Sequence, residues 1–287
     1  MSLVVAGAVL GGCAKPPSSH SEPSQYAPSR PALITNSILP SSTPVTQQPV
    51  PARIFSSGTL GGRTLAVAST SEIVLRPGEV ILTFDDGPRP GKTNKILATL
   101  NDFGVKATFL MLGSSASAHP GLAQQVAANG HSVGSHTYDH VDLTSLSRQA
   151  ALDEIAKGER AVQQALAGGG QNLAPFFRFP YLSQSAFLRT NLMQGNIVVL
   201  DVDIDSKDYY RDTPATVAAR TLQRLDARGS GIILFHDIHQ RTVDMLPLFL
   251  AQLQERGYSV VRLVPKDNSV FGRDLITADA PLLRGSL

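Results

Sequence analysis

Two adjacent aspartates, Asp85 and Asp86, end the apolar run "VILTF" and precede a Gly87-Pro88 break. Side chains alternate across a strand, so these neighbours cannot both face one core. Adjacent carboxylates also repel each other and resist burial. The pair makes sense as chemistry, with one carboxylate holding a metal ion and the other taking a proton from water. The residue order leaves those two roles interchangeable. Further along, "GSHTYDH" places His136 and His140 four apart, so both imidazoles can meet one ion from a helical turn or a tight loop. With one aspartate they make a three-ligand set with an open position, the pattern of catalytic rather than structural zinc. "FHDIH" offers a rival pair, His236 and His239, with weaker spacing.

Positioning these groups requires a scaffold, and from residue 79 onward the sequence has its rhythm. Seven β-rich runs ("VILTF", "KATFLML", "HSVGSH", "FFRFPY", "NIVVLDVDI", "GIILFH", "YSVVRL") alternate with amphipathic stretches such as the one carrying Ile96, Leu97, Leu100 and Phe103. Glycines 104, 130, 195, 229 and 257 stand where left-handed residues end helices. Strands alternating with helices imply a parallel sheet with right-handed crossovers, either open and doubly wound or closed as a barrel. Asp85 and Asp86 end the first run, His136 and His140 follow the third, and Arg178 to Tyr181 close the fourth. Asp203 and Asp205 close the fifth and His236 the sixth. Reactive groups at the C-terminal ends of several strands favour the barrel. Seven strands predict one that is distorted or open on one side.

Composition excludes some partners. The net charge is +2 with no Lys/Arg run, so no nucleic-acid partner is expected. Tryptophan is absent, which leaves Tyr and Phe as sugar-stacking platforms. The single cysteine rules out an internal disulfide.

"TFDDGP" (83–88), "SHTYDH" (135–140), "RFPY" (178–181), "DIDSKDY" (203–209) and "LFH" (234–236) resemble, in order, the five motifs of the polysaccharide deacetylases. These are the NodB-homology enzymes of carbohydrate esterase family 4. The resemblance implies an α/β fold, a distorted (β/α)7 barrel over residues 78–265. It implies removal of N-acetyl groups from a GlcNAc-containing polysaccharide (peptidoglycan, chitooligosaccharide or poly-N-acetylglucosamine) with release of acetate. Alternatives are an O-acetyl esterase on acetylated xylan and a catalytically silent glycan-binding lipoprotein.

Carried over residue by residue, the resemblance gives Asp85 as catalytic base and Asp86, His136 and His140 as ligands of a divalent metal, zinc first, with cobalt or nickel in its place. Arg178 would orient Asp85. The Tyr181 backbone N–H would bind the oxyanion on a turn shaped by Pro180. His236 would be the general acid, with Asp205 pairing with its ring. Leu234 would line the acetyl-methyl pocket. Tyr209 stands where the fourth motif usually has Trp, so the groove wall there carries a smaller aromatic.

The N-terminus "MSLVVAGAVLGGC" reads as a short apolar export segment in which "LGGC" resembles a bacterial lipobox, although no Lys or Arg precedes the run. Residues 1–13 are expected to be a lipoprotein-type signal that anchors the chain in the membrane through Cys13, in a bacterial cell envelope. Residues 14–57, rich in Pro, Ser, Thr and Gln, read as a disordered tether. Residues 58–77 read as an N-terminal extension with a peripheral strand in 64–75, and 266–287 as a tail. A monomer is expected.

Overall fold

The computed structural model describes residues 59–266. The expected signal segment (1–13), the expected tether (14–57) and the chain beyond 266 lie outside the described residues.

Strand β2 (Glu79–Asp85) is the hub of the sheet and is buried along its whole length. Its side chains divide by parity. Val80, Leu82 and Phe84 join the large core packed under the helices, whereas Ile81 joins a second cluster with Leu110, Phe176, Val198, Leu200 and Ile232. Thr83 and Asp85 continue the line of Ile81, because alternate residues share a face. The strand thus turns an apolar side chain inward at Ile81 and a carboxyl at its end.

The other strands are β1 (Gly61–Val67), β3 (Thr108–Met111), β4 (Ser132–Ser135), β5 (Phe176–Phe177), β6 (Val198–Val199), β7 (Ile204–Asp205), β8 (Gly231–His236) and β9 (Ser259–Pro265). Every pairing among them is parallel. Neighbours run β6-β5-β4-β3-β2-β8-β7, and β9 joins the start of β2 with β1 beside it. Among the described residues no ladder links β6 to β7. The sheet is a nearly closed parallel barrel with one seam, in agreement with the distorted (β/α)7 expectation.

Among the described residues seven α-helices connect the strands: α1 (Thr93–Asp102), α2 (Gly113–Ala118), α3 (Pro120–Ala128), α4 (Arg148–Ala167), α5 (Ala186–Gln194), α6 (Pro214–Arg228) and α7 (Gln240–Glu255). Their starts are readable chemically. Ser147, Ser185 and Thr213 each accept a backbone N–H of the first turn, and Pro214 follows the last of these caps.

Two expectations are corrected. The run 196–204 is not one strand but β6 and β7, because the carbonyls of Leu200 and Asp201 between them accept hydrogen bonds from Arg178. Gly195 does not take the left-handed conformation at the end of α5; Asn196 does, with φ 58°. The N-terminal strand begins at Gly61, and the chain after it packs Ile73 and Leu75 against the interior cluster, with Thr70 Oγ1 donating to the Val199 carbonyl.

Candidate active site

Polar groups gather above the apolar interior, at the C-terminal ends of the strands. Arg178, 1% exposed, crosses this layer. Its Nη1 donates to Asp85 Oδ1 at 2.9 Å and to Thr83 Oγ1 at 2.8 Å, and its Nε donates to the Leu200 carbonyl at 3.0 Å. The buried cation is therefore matched by a buried carboxylate, the condition under which both are tolerated inside a protein. Asp86 leaves the strand with φ 77°, a left-handed conformation unusual for a residue with a Cβ. This backbone turn, rather than strand alternation alone, aims Asp86 away from Asp85.

His136 follows β4, and His140 lies in a tight loop rather than on a helix, with Thr137 (φ 70°) and His140 (φ 57°) both left-handed. The loop is clamped by α4. Glu154 accepts the N–H groups of Tyr138 and Asp139, and Thr137 Oγ1 accepts that of His140. Gly158 lets α4 approach: a Cβ there would lie 2.3 Å from the Thr137 carbonyl carbon. The three side chains meet, with Asp86 Oδ1 3.6 Å from His136 Nε2 and 3.5 Å from His140 Nε2.

These donors fit a divalent cation on four counts. Donors around a tetrahedral ion at about 2.0–2.1 Å stand about 3.4 Å apart, close to the spacing observed. His136 Nδ1 lies 2.8 Å from the Arg178 carbonyl, which can only accept, so Nδ1 carries the proton and the neutral ring's lone pair is on Nε2. Asp86 Oδ1 is buried and has no hydrogen-bond partner among the described residues. Burial, with neighbouring His136, pushes His140 below its ordinary value, which favours the neutral ring that ligates metals.

On the opposite side His236 ends β8 directly beside Asp85 in the parallel ladder. Its Nδ1 lies 2.7 Å from Oδ1 of Asp208, a carboxylate with no exposed surface. Asp208 Oδ2 accepts the His236 N–H at 2.8 Å and the Thr242 hydroxyl at 2.6 Å. Burial pulls the His236 ring down, but the hydrogen bond and charge of Asp208, helped by Asp85 and Asp86, outweigh it and raise the ring to about 9. Tyr209 lies edge-on to His236, and Tyr181 edge-on to His140 with its ring centroid 4.5 Å away. Tyr181 is left-handed (φ 57°) and largely exposed. The arrangement has a donor set for one ion, a carboxylate next to it and a protonated imidazole across from it. That combination can hydrolyse an acyl bond.

The family profile described as polysaccharide deacetylase matches residues 74–197. The peptidoglycan-N-acetylglucosamine deacetylase PgdA of Listeria monocytogenes is 33% identical over 184 residues, 64% of this chain but 38% of its own length. A peptidoglycan deacetylase structure from Bdellovibrio bacteriovorus aligns with a TM-score of 0.63 at 34% identity, covering 75% of this chain and 59% of that one. The chitin deacetylase of Colletotrichum lindemuthianum is 34% identical over 199 residues, covering 65% of this chain and 78% of its own. This chain belongs to the polysaccharide deacetylase family.

Within this polysaccharide deacetylase family member, Asp85, Asp86, His136, His140, Arg178, Tyr181 and His236 surround one site, with Pro180 buried in the turn before Tyr181. Leu234 lies two residues before His236 on the inner face of β8 and is 5% exposed. Asp205 is a correction: it does not pair with the His236 ring. Its carboxylate accepts the Tyr209 hydroxyl and the Lys207 N–H, and Asp208 takes the ring. The physical reason is the left-handed turn at Lys207 (φ 54°), which swings Asp208 back over β8. The resemblance carried the role to the first aspartate of "DSKD", and the structure gives it to the second. The rival pair is not part of the donor cluster found among the described residues: His239 stands at the N-cap position of α7 with its ring centroid 5.7 Å from that of His236. Asp237 was also missed. Burial pushes its carboxyl up to about 7 despite the Thr93 hydrogen bond, and the charges of Asp86 and Asp85 add to the rise.

Proposed function

We propose that this chain is a metal-dependent hydrolase that removes N-acetyl groups from GlcNAc units of a polysaccharide, with peptidoglycan as the favoured substrate. The observation that carries this reading is the Asp86–His136–His140 donor set lying between a carboxylate braced by Arg178 and an imidazole braced by Asp208. Peptidoglycan is favoured by the names of the Listeria and Bdellovibrio relatives.

Asp86, His136 and His140 would hold a divalent ion, zinc first, whose chemistry is to acidify a water and polarise the amide oxygen. The chain's own residues do the rest. Arg178 occupies Asp85 Oδ1 and leaves Oδ2 facing the site, 3.9 Å from His136 Nε2. Asp85 takes one proton from water as its oxygen adds to the amide carbon. The Tyr181 N–H is the backbone donor for the developing oxyanion, in the turn fixed by Pro180. His236 holds its Nδ1–H on Asp208 and delivers the Nε2 proton to the departing nitrogen, so that the C–N bond breaks to acetate and a free amine. Leu234 and Tyr209 form the wall for the acetyl methyl and sugar. Partial burial and Asp205 push the Tyr209 hydroxyl up to about 12, which keeps it a donor.

The test is acetate release by the full chain from peptidoglycan, chitin oligomers and acetylxylan, with and without a chelator. Release from peptidoglycan that a chelator abolishes and zinc restores is expected. Release from acetylxylan alone would replace the amidase reading with an esterase one, and chelator-resistant release would remove the metal from it.

We also propose a cell-envelope location, with the chain anchored through a lipid on Cys13. Cys13→Ala is expected to move the protein from the membrane fraction to the soluble one; retention in the membrane would refute the anchor.

A further inference from the structure

The left-handed turn at Asp86 needs support, because a residue with a Cβ is strained in that conformation and holds it only where its surroundings fix it. Three contacts hold the turn from the β3 side. The Asp86 N–H donates to the Leu110 carbonyl, Ser115 Oγ donates to the Asp86 carbonyl, and the Leu112 N–H donates to the Gly87 carbonyl. On the β8 side one side chain does the holding.

Asp237, with no exposed surface, follows His236 at the end of β8. Its N–H donates to the Asp85 carbonyl at 3.3 Å. Its carboxyl group lies over the Cα of Gly87, where a Cβ would come within 2.0 Å of Oδ2 and 2.2 Å of Oδ1. Oδ2 accepts the Thr93 hydroxyl at 2.5 Å, and that hydroxyl accepts the Arg89 N–H at 2.7 Å. Thr93 opens α1, so the carboxyl group touches both ends of the 86–93 connection: Gly87 where it leaves β2 and Thr93 where it enters the helix. Burying a carboxyl group with one oxygen unpartnered is costly, and nothing in the packing of an apolar core calls for it.

We infer that Asp237 and Thr93 form a clamp that positions Asp85 and Asp86 relative to the acid-bearing strand. Asp237 is a positioning residue: it reaches the reacting groups only through the backbone of residues 85–87 and through Thr93. The same residue joins the end of β8, which carries His236, to the end of β2, which carries the two aspartates. It thereby sets the distance between the proposed acid and the proposed base. The catalytic part of this inference rests on the metal-dependent reading above; the mechanical part does not.

The test uses Thr93→Val, Asp237→Ala, Asp237→Asn and the Thr93→Val/Asp237→Ala double variant of the full chain. Zinc affinity is measured by competition with a chromophoric chelator, and amide exchange over residues 86–93 is followed in metal-free protein. Thr93→Val and Asp237→Ala are each expected to weaken zinc binding about 10–100-fold, as removing a support behind a metal ligand does. The double variant should lose no more than the worse single one, because both remove the same link. Asp237→Asn keeps the shape and the oxygen that accepts from Thr93, and is expected to restore wild-type affinity. Thr93→Val changes only a hydroxyl, so it decides the matter if Asp237→Ala does not fold. Wild-type zinc affinity in Thr93→Val, or losses that multiply in the double variant, would overturn the clamp. If the wild-type chain binds no zinc, the metal reading falls and exchange decides the clamp alone. Faster exchange over 86–93 in Thr93→Val then supports it, and unchanged exchange refutes it.

Discussion

Asp85→Asn is expected to keep zinc and to turn over about 10²–10⁴-fold more slowly, the range a positioned general base supplies. Asp86→Ala should lose the ion and the activity together. The contrast follows from geometry, since Asp86 Oδ1 faces both imidazoles while Asp85 Oδ1 is taken by Arg178. Zinc affinity and kcat measured on the same preparations separate the two, and a metal-free Asp85→Asn protein would mean that the two carboxylates have been assigned in reverse.

Asp85→Asn also carries a stability cost with a foreseeable size. Stripping a buried ion pair of one partner outright costs about 3–5 kcal/mol. An asparagine oxygen still accepts from Arg178, and Thr83 and Leu200 keep their bonds to it, so the loss should be nearer about 2 kcal/mol. For a domain of this size that is roughly 4–8 °C of melting temperature. Asp85→Ala, which removes the acceptor altogether, should fall further.

The second large effect is on the pH profile. A general acid works only while protonated, so activity that depends on His236 is present below its pKa and lost as pH rises through about 9. Asp208→Asn removes the hydrogen-bonded charge that holds the ring up and leaves burial, which pulls it down. The alkaline limb of kcat is then expected to fall toward or below the ordinary imidazole value of 6.5. At pH 8 a ring with that ordinary value is protonated about one time in thirty, so the variant should lose about 30-fold there while losing far less at pH 6. Asp205→Asn is the control. It touches Tyr209 and not the ring, so it should shift KM and leave the alkaline limb where it was. An unmoved limb in Asp208→Asn would remove His236 from the acid role, and the ring's own titration in metal-free protein checks the cause directly.

The parts of the fold that repeat were legible in the sequence. β2, β3, β8 and β9 are apolar runs whose alternate residues divide between the core under the helices and the barrel interior, so the runs themselves mark the strands. The His136–His140 pair was legible because its spacing is local. What was not legible depends on groups far apart in sequence. The run 196–204 reads as one strand until Arg178, from another strand, takes the carbonyls in its middle. Asp208 outranks Asp205 only once a left-handed Lys207 folds the chain back toward β8. Parity alone separates Asp85 from Asp86, but only the backbone at Asp86 shows where the second carboxylate goes.

Arg178 spans the barrel near the break between β6 and β7, bonding to the chain beyond β6 on one side and to β2 on the other. In effect it is a strut across the barrel interior, and the same strut holds the proposed base. Loss of the guanidinium would free the chain beyond β6 and the carboxylate in one event, so the shape of that segment and the reactivity of the base are tied at this position. A chain that keeps the strut keeps both in place.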